Sequence, residues 1–416
     1  MKRSRKIKVG VFGAGRGITM ARVMAQHPDA ELAAVCDYSK TGTAKCKRAV
    51  QEVGGKAVFY SNYEKFMQHD MDAVVLANFA TEHAPCAVQA LNSGRHVVSE
   101  VVACQTMAEA VQLVEAVEKS KKVYTFAENY CYFRGTLEMR KLYRRGDIGE
   151  CLHAEGEYVH DCESIWPRIT GGMPNHWRNW VPATFYCTHA VGPVLTITGL
   201  RPTRVTAYES LNINKRRCGG RSADGSVILC QMSNGATMKV LPWCNYKRHP
   251  EAIWYAVYGS NGMMETDRWN ELTNRVHIFR ENNGKWERNM SYMPTFPMVT
   301  DLSRKIGGHG GSDFYTMHVF LQKILGRADK LFAIDVYQAL DMTLPGLLGF
   351  RSIMSGNQAV DIPNLRNKKV RDAYRDDHWC CDPKLVGPGQ PRASMAAGPV
   401  KIPADIYKKQ RKLSPR

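Results

Sequence analysis

The sequence predicts an α/β protein with two parts, a doubly wound parallel-sheet domain followed by an α+β domain with an open, mostly antiparallel sheet. Three observations carry this prediction. A short apolar strand at residues 7–12 runs into a glycine-rich turn at 13–17. Strand and helix patterns then alternate from Val9 to Phe126. Beyond Cys151 strand-like stretches follow one another, some separated by the turn pairs Asn234-Gly235 and Asn261-Gly262, which favour antiparallel pairing.

The opening strand has Ile7, Val9 and Val11 on one face, and Phe12 extends the apolar run. Burial on both faces, as in a parallel sheet, follows. Gly13, Gly15, Arg16 and Gly17 form the turn, and Met20–Gln26 continues as a helix. Bare backbone and the unpaired N–H groups of a helix start suit a pyrophosphate. The spacing departs from G-x-G-x-x-G, because Ile18 holds the sixth position and the third glycine arrives one residue early. Glu31–Cys36 reads as the second strand, and Asp37 follows it. A carboxylate there accepts hydrogen bonds from an adenosine ribose and repels a 2′-phosphate, which favours NAD. Together these features predict a Rossmann dinucleotide site.

The remaining strands of this half are Val58–Tyr60, Ala73–Leu76, His96–Ser99 and Val123–Phe126. Helices are expected at Tyr63–Gln68, His83–Ser93 and Thr106–Ser120, the last with apolar positions at 107, 110, 111, 114 and 117. Ligands of such sheets lie beyond the strand C-termini. Asn78, His83, Glu100, Val101 and Asn129 fall at those ends and are the further cofactor candidates.

A helix at Tyr132–Arg145 opens the second half. Strands are expected at Leu152–His160, Thr203–Tyr208, Ser226–Met232, Thr237–Leu241, Ile253–Tyr258, Gly262–Thr266 and Arg275–Phe279, and helices at Ser312–Leu325 and Val336–Ser355. The domains are therefore read as 1–128, dinucleotide binding, 129–363, substrate binding and self-association, and 364–416, an extended basic arm on the surface or across a subunit boundary.

The formal charge of +18 over 416 residues resembles a nucleic-acid signal until it is located. Residues 2–8 carry five basic residues, and residues 364–416 carry a net excess of eight, so thirteen of the eighteen charges sit at the two ends. No aromatic-interleaved basic stripe appears, and no nucleic-acid partner is expected. Thirteen scattered cysteines without C-x-x-C spacing fit free thiols in a reducing compartment and no zinc site. No run approaches a membrane span. A cytoplasmic enzyme is the expectation.

Three stretches of the second half are more polar and aromatic than a core needs. They are Tyr158-Val159-His160-Asp161; Asn175-His176-Trp177-Arg178 with Phe185 to Pro193; and Gly307 to Gly311 around His309. Tyr186 and His189, three apart at a helix start, share a face. A phenol beside an imidazole is a proton-transfer pair suited to neutral pH. A glycine-flanked histidine brings N–H groups close to a ligand.

At this point the chain resembles a known family. A dinucleotide domain followed by an open-sheet domain resembles the Gfo/Idh/MocA family over nearly the whole length. Its typical dehydrogenases carry E-K-P after the fifth strand and D-x-x-x-H in the second domain. This chain has Glu100-Val101-Val102, and Phe185 four residues before His189. Both departures are shared with the NAD-dependent glycosidase branch resembling glycoside hydrolase family 109. The chain is similar to it at Glu100-Val101, Glu128-Asn129-Tyr130, Tyr158-x-His160-Asp161, Trp177-Arg178, Tyr186-x-Thr188-His189-x-x-Gly192-Pro193, and Gly307–Gly311 with Asp313-Phe314. The N-G-N stretch expected before Tyr186 is Pro182-Ala183-Thr184 here, so the resemblance implies the reaction type and leaves the family's N-acetylgalactosamine preference open.

The resemblance implies a glycoside hydrolase in which tightly held NAD⁺ takes hydride from C3 of the sugar. The ketone acidifies the C2 proton, the C1 group is eliminated, water adds, and hydride returns, so NAD is recycled. Such enzymes often accept both α- and β-glycosides. Tyr186 and His189 would handle the C3-hydroxyl and C2 protons, with Tyr158 a third candidate for the base. His160, Trp177, Arg178 and His309 would contact the sugar. Family members self-associate through the open sheet, which implies a homo-oligomer. Two other readings stay open. A sugar or inositol dehydrogenase of the same fold would accumulate NADH with free sugars, and a non-catalytic NAD-binding sensor would bind cofactor without turning over any glycoside.

Overall fold

The computed structural model describes residues 5–269, 274–286, 288–296, 298–306, 308–327, 331–385 and 387–414. They form two compact units. The first comprises Met1–Tyr132, Phe296–Leu340 and Leu365–Asp377; the second Phe133–Thr295, Asp341–Asn364 and His378–Arg416.

In the first unit the order is β1 (Ile7–Phe12), α1 (Ile18–Gln26), β2 (Ala30–Cys36), α2 (Lys40–Glu52), β3 (Val58–Tyr60), α3 (Tyr63–Met67), β4 (Ala73–Leu76), α4 (His83–Asn92), β5 (His96–Ser99), α5 (Met107–Ser120) and β6 (Tyr124–Phe126). The sheet order is β3-β2-β1-β4-β5-β6, with every pairing parallel. Strands so placed are covered on both faces, and Val9, Val11 and Phe12 are buried accordingly. Side-chain caps start several helices: Ser39 Oγ accepts from Gly42 N–H at 3.0 Å, Asn62 Oδ1 from Lys65 N–H at 2.9 Å, and Thr106 Oγ1 from Glu109 N–H at 3.1 Å.

Two later segments complete this unit, which departs from the linear division at residues 128 and 363. Residues 296–340 carry α10 (Asp301–Lys305) and α11 (Ser312–Ile324). The ring of Phe314 on α11 lies 5.9 Å from that of His27 at the end of α1, and His27 Nε2 is 3.0 Å from His318 Nδ1. Burial pushes His27 down to about 4, so His27 enters this contact neutral near neutral pH. The aromatic face of α11 thus finds its partner on α1, far earlier in the chain. Residues 365–377 return through Arg371, which is 1% exposed and makes a two-pronged ion pair to Glu118 on α5 at 2.6 and 2.8 Å.

That pair sets a pH dependence. The Arg371 guanidinium, helped by the Tyr337 hydroxyl, holds the Glu118 carboxyl down to about 2. A depressed folded pKa gives stability that is present above the unfolded value and is lost as pH falls toward the folded one. The E118Q variant should lose about 2 kcal/mol at pH 7, between an exposed and a fully buried pair. Its deficit relative to wild type, read from urea unfolding, should shrink between pH 5 and 2.

The second unit starts with α6 (Arg134–Arg145), β7 (Cys151–Val159), α7 (Trp166–Thr170) and α8 (Thr188–Thr198). Then follow β8 (Pro202–Glu209), α9 (Asn214–Arg217), β9 (Ser226–Met232), β10 (Thr237–Trp243), β11 (Ala252–Gly259), β12 (Gly262–Thr266), β13 (Val276–Arg280) and β14 (Asn289–Tyr292). After α12 (Val336–Met354), within which the division between units falls, come β15 (Val360–Asp361), α13 (Lys368–Arg371, in the first unit) and α14 (Ala404–Leu413). The nine-stranded sheet has the order β14-β13-β12-β11-β7-β10-β9-β8-β15. Its β7–β10 pair is parallel and the others are antiparallel. Sequence patterning missed β14 and β15, which are only four and two residues long.

The C-terminal segment is anchored on its own chain at several points. Trp379 meets Phe350 at 5.3 Å between ring centroids. Glu209 accepts from Ser394 Oγ at 2.9 Å and Ala396 N–H at 2.7 Å. Tyr407 on α14 donates to the Gly219 carbonyl at 2.8 Å. A few aromatic anchors decide the placement, and charge counting does not register them. Among the described residues no helix is long and apolar enough to cross a membrane.

Candidate active site

The glycine turn is fixed by backbone contact. Gly13 has φ +100°, and a Cβ there would lie 2.3 Å from the Ala77 carbonyl carbon. The early third glycine has its own reason: a Cβ on Gly17 would lie 2.3 Å from the Gly13 carbonyl oxygen, which accepts from Gly17 N–H at 3.0 Å. The turn closes one residue sooner than the usual spacing allows. A Cβ on Gly15 would meet nothing within 4 Å, so the backbone is open there. The first N–H groups of α1 have no intrahelical acceptor and carry the positive end of the helix dipole.

Asp37 stands beside this turn. Its Oδ2 accepts from Ala14 N–H and its Oδ1 from Ser39 N–H, each at 2.6 Å. Each oxygen keeps a further lone pair for a ribose hydroxyl. Asn78, at the end of β4, gives Nδ2 to Cys86 Sγ at 3.7 Å while its buried Oδ1 has no partner among the described residues. An open glycine backbone, a helix start, a carboxylate with spare acceptors and an orphaned amide oxygen fit a dinucleotide. His83 has a structural place: Nδ1 bonds the Val102 carbonyl at 2.9 Å, and burial pushes its pKa down to about 4. Val101 is buried, and its N–H donates to Glu100 Oε2 at 3.3 Å.

Arg16 is engaged by protein carboxylates. Nη2 lies 2.9 Å from Glu100 Oε1 and 2.7 Å from Asp313 Oδ1, and Nη1 lies 2.9 Å from Asp313 Oδ2. Asp313, 1% exposed, also accepts from Asn129 Nδ2 at 3.0 Å and meets His309 Nδ1 at 2.9 Å. Burial alone would raise this carboxyl, but Arg16 and His309 overcome it and hold it well below the usual range. His309 was expected in the substrate domain; it lies in the first unit, beside Arg16 and Asn129. Gly307 lies outside the described residues. Asp313 is the group that single-residue reasoning left without a role, because its partner Arg16 is 297 positions away.

The second unit gathers the other candidates. Tyr158 is the penultimate residue of β7, Trp177 and Arg178 lie on a short turn, and His189 is on the first turn of α8. The ring centroid of His189 is 4.8 Å from Tyr158 and 5.0 Å from Tyr186, the latter edge-on at 83°. Tyr186 lies just before the helix, whose cap is Cys187. Trp177 is 6.2 Å from Tyr186, and the Arg178 guanidinium lies 4.3 Å over Trp177 and 5.3 Å over Tyr186. His160 is 5.7 Å from Tyr158, with Nε2 3.2 Å from Glu251 Oε1. The neighbouring His176 is pushed down to about 3 by burial and by Arg178, so it is neutral.

Two sequence features set His189 in place. A Cβ on Gly156 of β7 would lie 2.0 Å from the Ala190 carbonyl, so glycine allows α8 to lie directly on the strand. Pro193 has no N–H to give to the His189 carbonyl four residues back. The Tyr255 hydroxyl of β11 donates there instead, at 2.7 Å. Y255F removes a buried donor and should destabilise the protein by about 1–2 kcal/mol. A drop in thermal midpoint together with reduced kcat is the expected outcome, measured by calorimetry and steady-state rates.

Comparison with known proteins bears on both halves. Residues 7–128 match the oxidoreductase family model described as an NAD-binding Rossmann fold. Residues 214–371 match the C-terminal domain model of glycosyl hydrolase 109. The Tyr158–His189 cluster lies between the two matched ranges. The chain is 26% identical to glycosyl hydrolase family 109 protein 1 of Bacteroides thetaiotaomicron, over 86% of this chain and 84% of that protein. It is 25% identical to the alpha-N-acetylgalactosaminidase of Shewanella oneidensis, over 86% and 85%. Among solved structures, levoglucosan dehydrogenase in complex with NADH and levoglucosan matches with a TM-score of 0.68 and 18% identity, over 86% of this chain and 100% of that one. An inositol dehydrogenase homolog from Azotobacter vinelandii, complexed with NAD⁺, matches at 0.69 and 16%, over 87% and 98%. At such identities the structures speak for the fold alone. With an NAD-binding Rossmann model and a glycosyl hydrolase 109 model in order on one chain, and with family 109 proteins similar over most of its length, the chain resembles the Gfo/Idh/MocA family, and within it the glycosyl hydrolase 109 branch.

Proposed function

We propose that the protein is an NAD-dependent glycosidase, a hydrolase of glycosyl bonds. The observation that carries this reading is the contact of His189 with both Tyr158 and Tyr186. It places an imidazole and two phenols together, where glycosidases of the ordinary kind use two carboxylates flanking the bond. NAD⁺, held at Gly13–Gly17, Asp37 and Asn78, would supply reversible hydride acceptance from a sugar carbon, which acidifies the adjacent C–H.

The side chains then have proton work to do. Imidazole is the side chain best suited to exchange a proton at neutral pH, and His189 acts as base toward the sugar hydroxyl. Tyr186, edge-on to it, relays protons at the neighbouring carbon, with Tyr158 as the second phenol. Trp177 offers an apolar wall for a sugar face, and Arg178, spread over Trp177 and Tyr186, holds hydroxyls. His160, tied to Glu251, lines the same surface.

The substrate is a small glycoside. Pro182-Ala183-Thr184 replaces the N-G-N stretch of the branch, so the substrate need not share the N-acetylgalactosaminide specificity named for the Shewanella relative. A panel of chromogenic α- and β-glycosides, each with and without added NAD⁺, tests the reading. Aglycone release without net NADH supports it. NADH accumulation with free sugars and no aglycone release would favour a dehydrogenase. We read the exposed Leu152, Tyr208 and Leu229 of the nine-stranded sheet as a self-association surface, checked by light scattering. All thirteen cysteines are free thiols, which supports a reducing, cytoplasmic setting.

A further inference from the structure

Cys162 and Cys244 lie just past the ends of β7 and β10, the parallel pair of the second sheet. Backbone pairing continues beyond the strand ends with a slip of one residue: His160 N–H donates to the Trp243 carbonyl at 2.8 Å, and Cys162 N–H to the Cys244 carbonyl at 2.9 Å. The two side chains belong to one packed cluster. Cys162 Sγ is also 3.5 Å from His160 Nδ1. Around them Cys162, Trp166 and Cys218 form a small apolar cluster, with Ile165, Ile169 and Cys244 packed on it.

A buried cation adjoins this cluster. Lys215 is 6% exposed, donates to Ser222 Oγ at 2.6 Å and lies 5.8 Å from the Trp166 ring. No carboxylate lies within ion-pair distance of its ammonium among the described residues. An ammonium left so in apolar surroundings gains most from an adjacent anion. The charged groups that face the two sulfurs are Lys215, Arg178, His160 and Glu251. The neighbouring Cys162, together with Lys215, His160 and Arg178, draws Cys244 down, while Cys244 and burial push Cys162 up. The attacking and resolving sulfurs are thereby distinguished. A metal centre does not explain the cluster, since no group of three or more His, Cys, Asp or Glu among the described residues is arranged to hold one.

We propose that Cys162 and Cys244 form a peroxide-sensitive thiol pair beside the sugar-binding residues, with Cys244 as the attacking sulfur. The Cys244 thiolate attacks one oxygen of a hydroperoxide, the O–O bond breaks, and the leaving hydroxide takes a proton to become water. Sulfur loses two electrons and becomes a sulfenic acid. The Cys162 sulfur then attacks Cys244, its proton leaves with the departing hydroxide as a second water, and the S–S bond forms. Hydrogen peroxide is the oxidant and is reduced by the same two electrons. The disulfide withdraws the Cys162 thiol from His160, and this consequence for the sugar site rests on the glycosidase reading.

The test is a peptide map and needs no turnover. Full-length protein with NAD present is treated with equimolar hydrogen peroxide, alkylated and digested without reductant. A Cys162–Cys244 linked peptide, released by dithiothreitol, should appear ahead of oxidation elsewhere. In C162S, Cys244 should stop at a sulfenic acid that dimedone captures. K215M should slow alkylation of Cys244 at pH 7 by about tenfold. An unmodified Cys244 while other cysteines oxidise, or equal rates of alkylation with and without Lys215, would overturn the proposal.

Discussion

Replacing His189 with alanine should lower kcat for glycoside hydrolysis by on the order of 10²–10⁴-fold, the usual contribution of a positioned proton-transfer group. His189 is 7% exposed and touches both Tyr158 and Tyr186. Because the dinucleotide candidates belong to the other unit, the variant should retain bound NAD. Cofactor content after gel filtration, measured beside kcat, separates a chemical loss from a binding loss. A variant that keeps near-normal turnover removes His189 from the reaction. Loss of turnover and cofactor together would show that the histidine acts through the fold.

The second large effect is expected at Asp313. The D313A variant removes the carboxylate that two Arg16 nitrogens, Asn129 and His309 share. Arg16 keeps Glu100 as a partner, so its charge is not abandoned. The loss should therefore fall near the lower end for a broken buried pair, about 3 kcal/mol. The pH dependence has a definite sign. Asp313 has a depressed folded pKa, so its contribution is present above the unfolded value near 4 and fades as pH falls below it. Wild type and D313N should differ most at neutral pH and converge in acid, as read by urea unfolding. A weaker hold on NAD should accompany the loss, because Arg16 sits in the glycine turn itself.

Much of the first unit was legible because its signals are local. The strand at Ile7–Phe12, the turn at Gly13–Gly17 and Asp37 after the second strand are each set by a few neighbouring residues. The short interval from Tyr186 to His189 likewise brought two chemically matched side chains into view, although Tyr186 precedes the helix rather than lying on it. Interactions across the chain left no such trace. Arg16 can be picked out in the glycine turn, but not that Asp313 folds against it. The missing N–H at Pro193 can be read from sequence, but not that Tyr255 supplies the replacement donor. The anchoring of the basic C-terminal segment was not legible because Trp379 and Tyr407 are single aromatics without a period. His309 moved to the other unit because α11 packs on α1, a pairing that helical periodicity does not encode.

Proton abstraction next to a transiently oxidised sugar carbon, with the cofactor restored in each cycle, is the centre of the proposed chemistry. The most direct measurement is hydrolysis of an accepted glycoside in D₂O by protein carrying bound NAD, with the released sugar examined by NMR and the reaction followed at the NADH absorbance. Deuterium at C2 of the product, with no net rise in NADH, is the predicted result. Product with hydrogen retained at C2, or NADH formed in step with sugar, would contradict it.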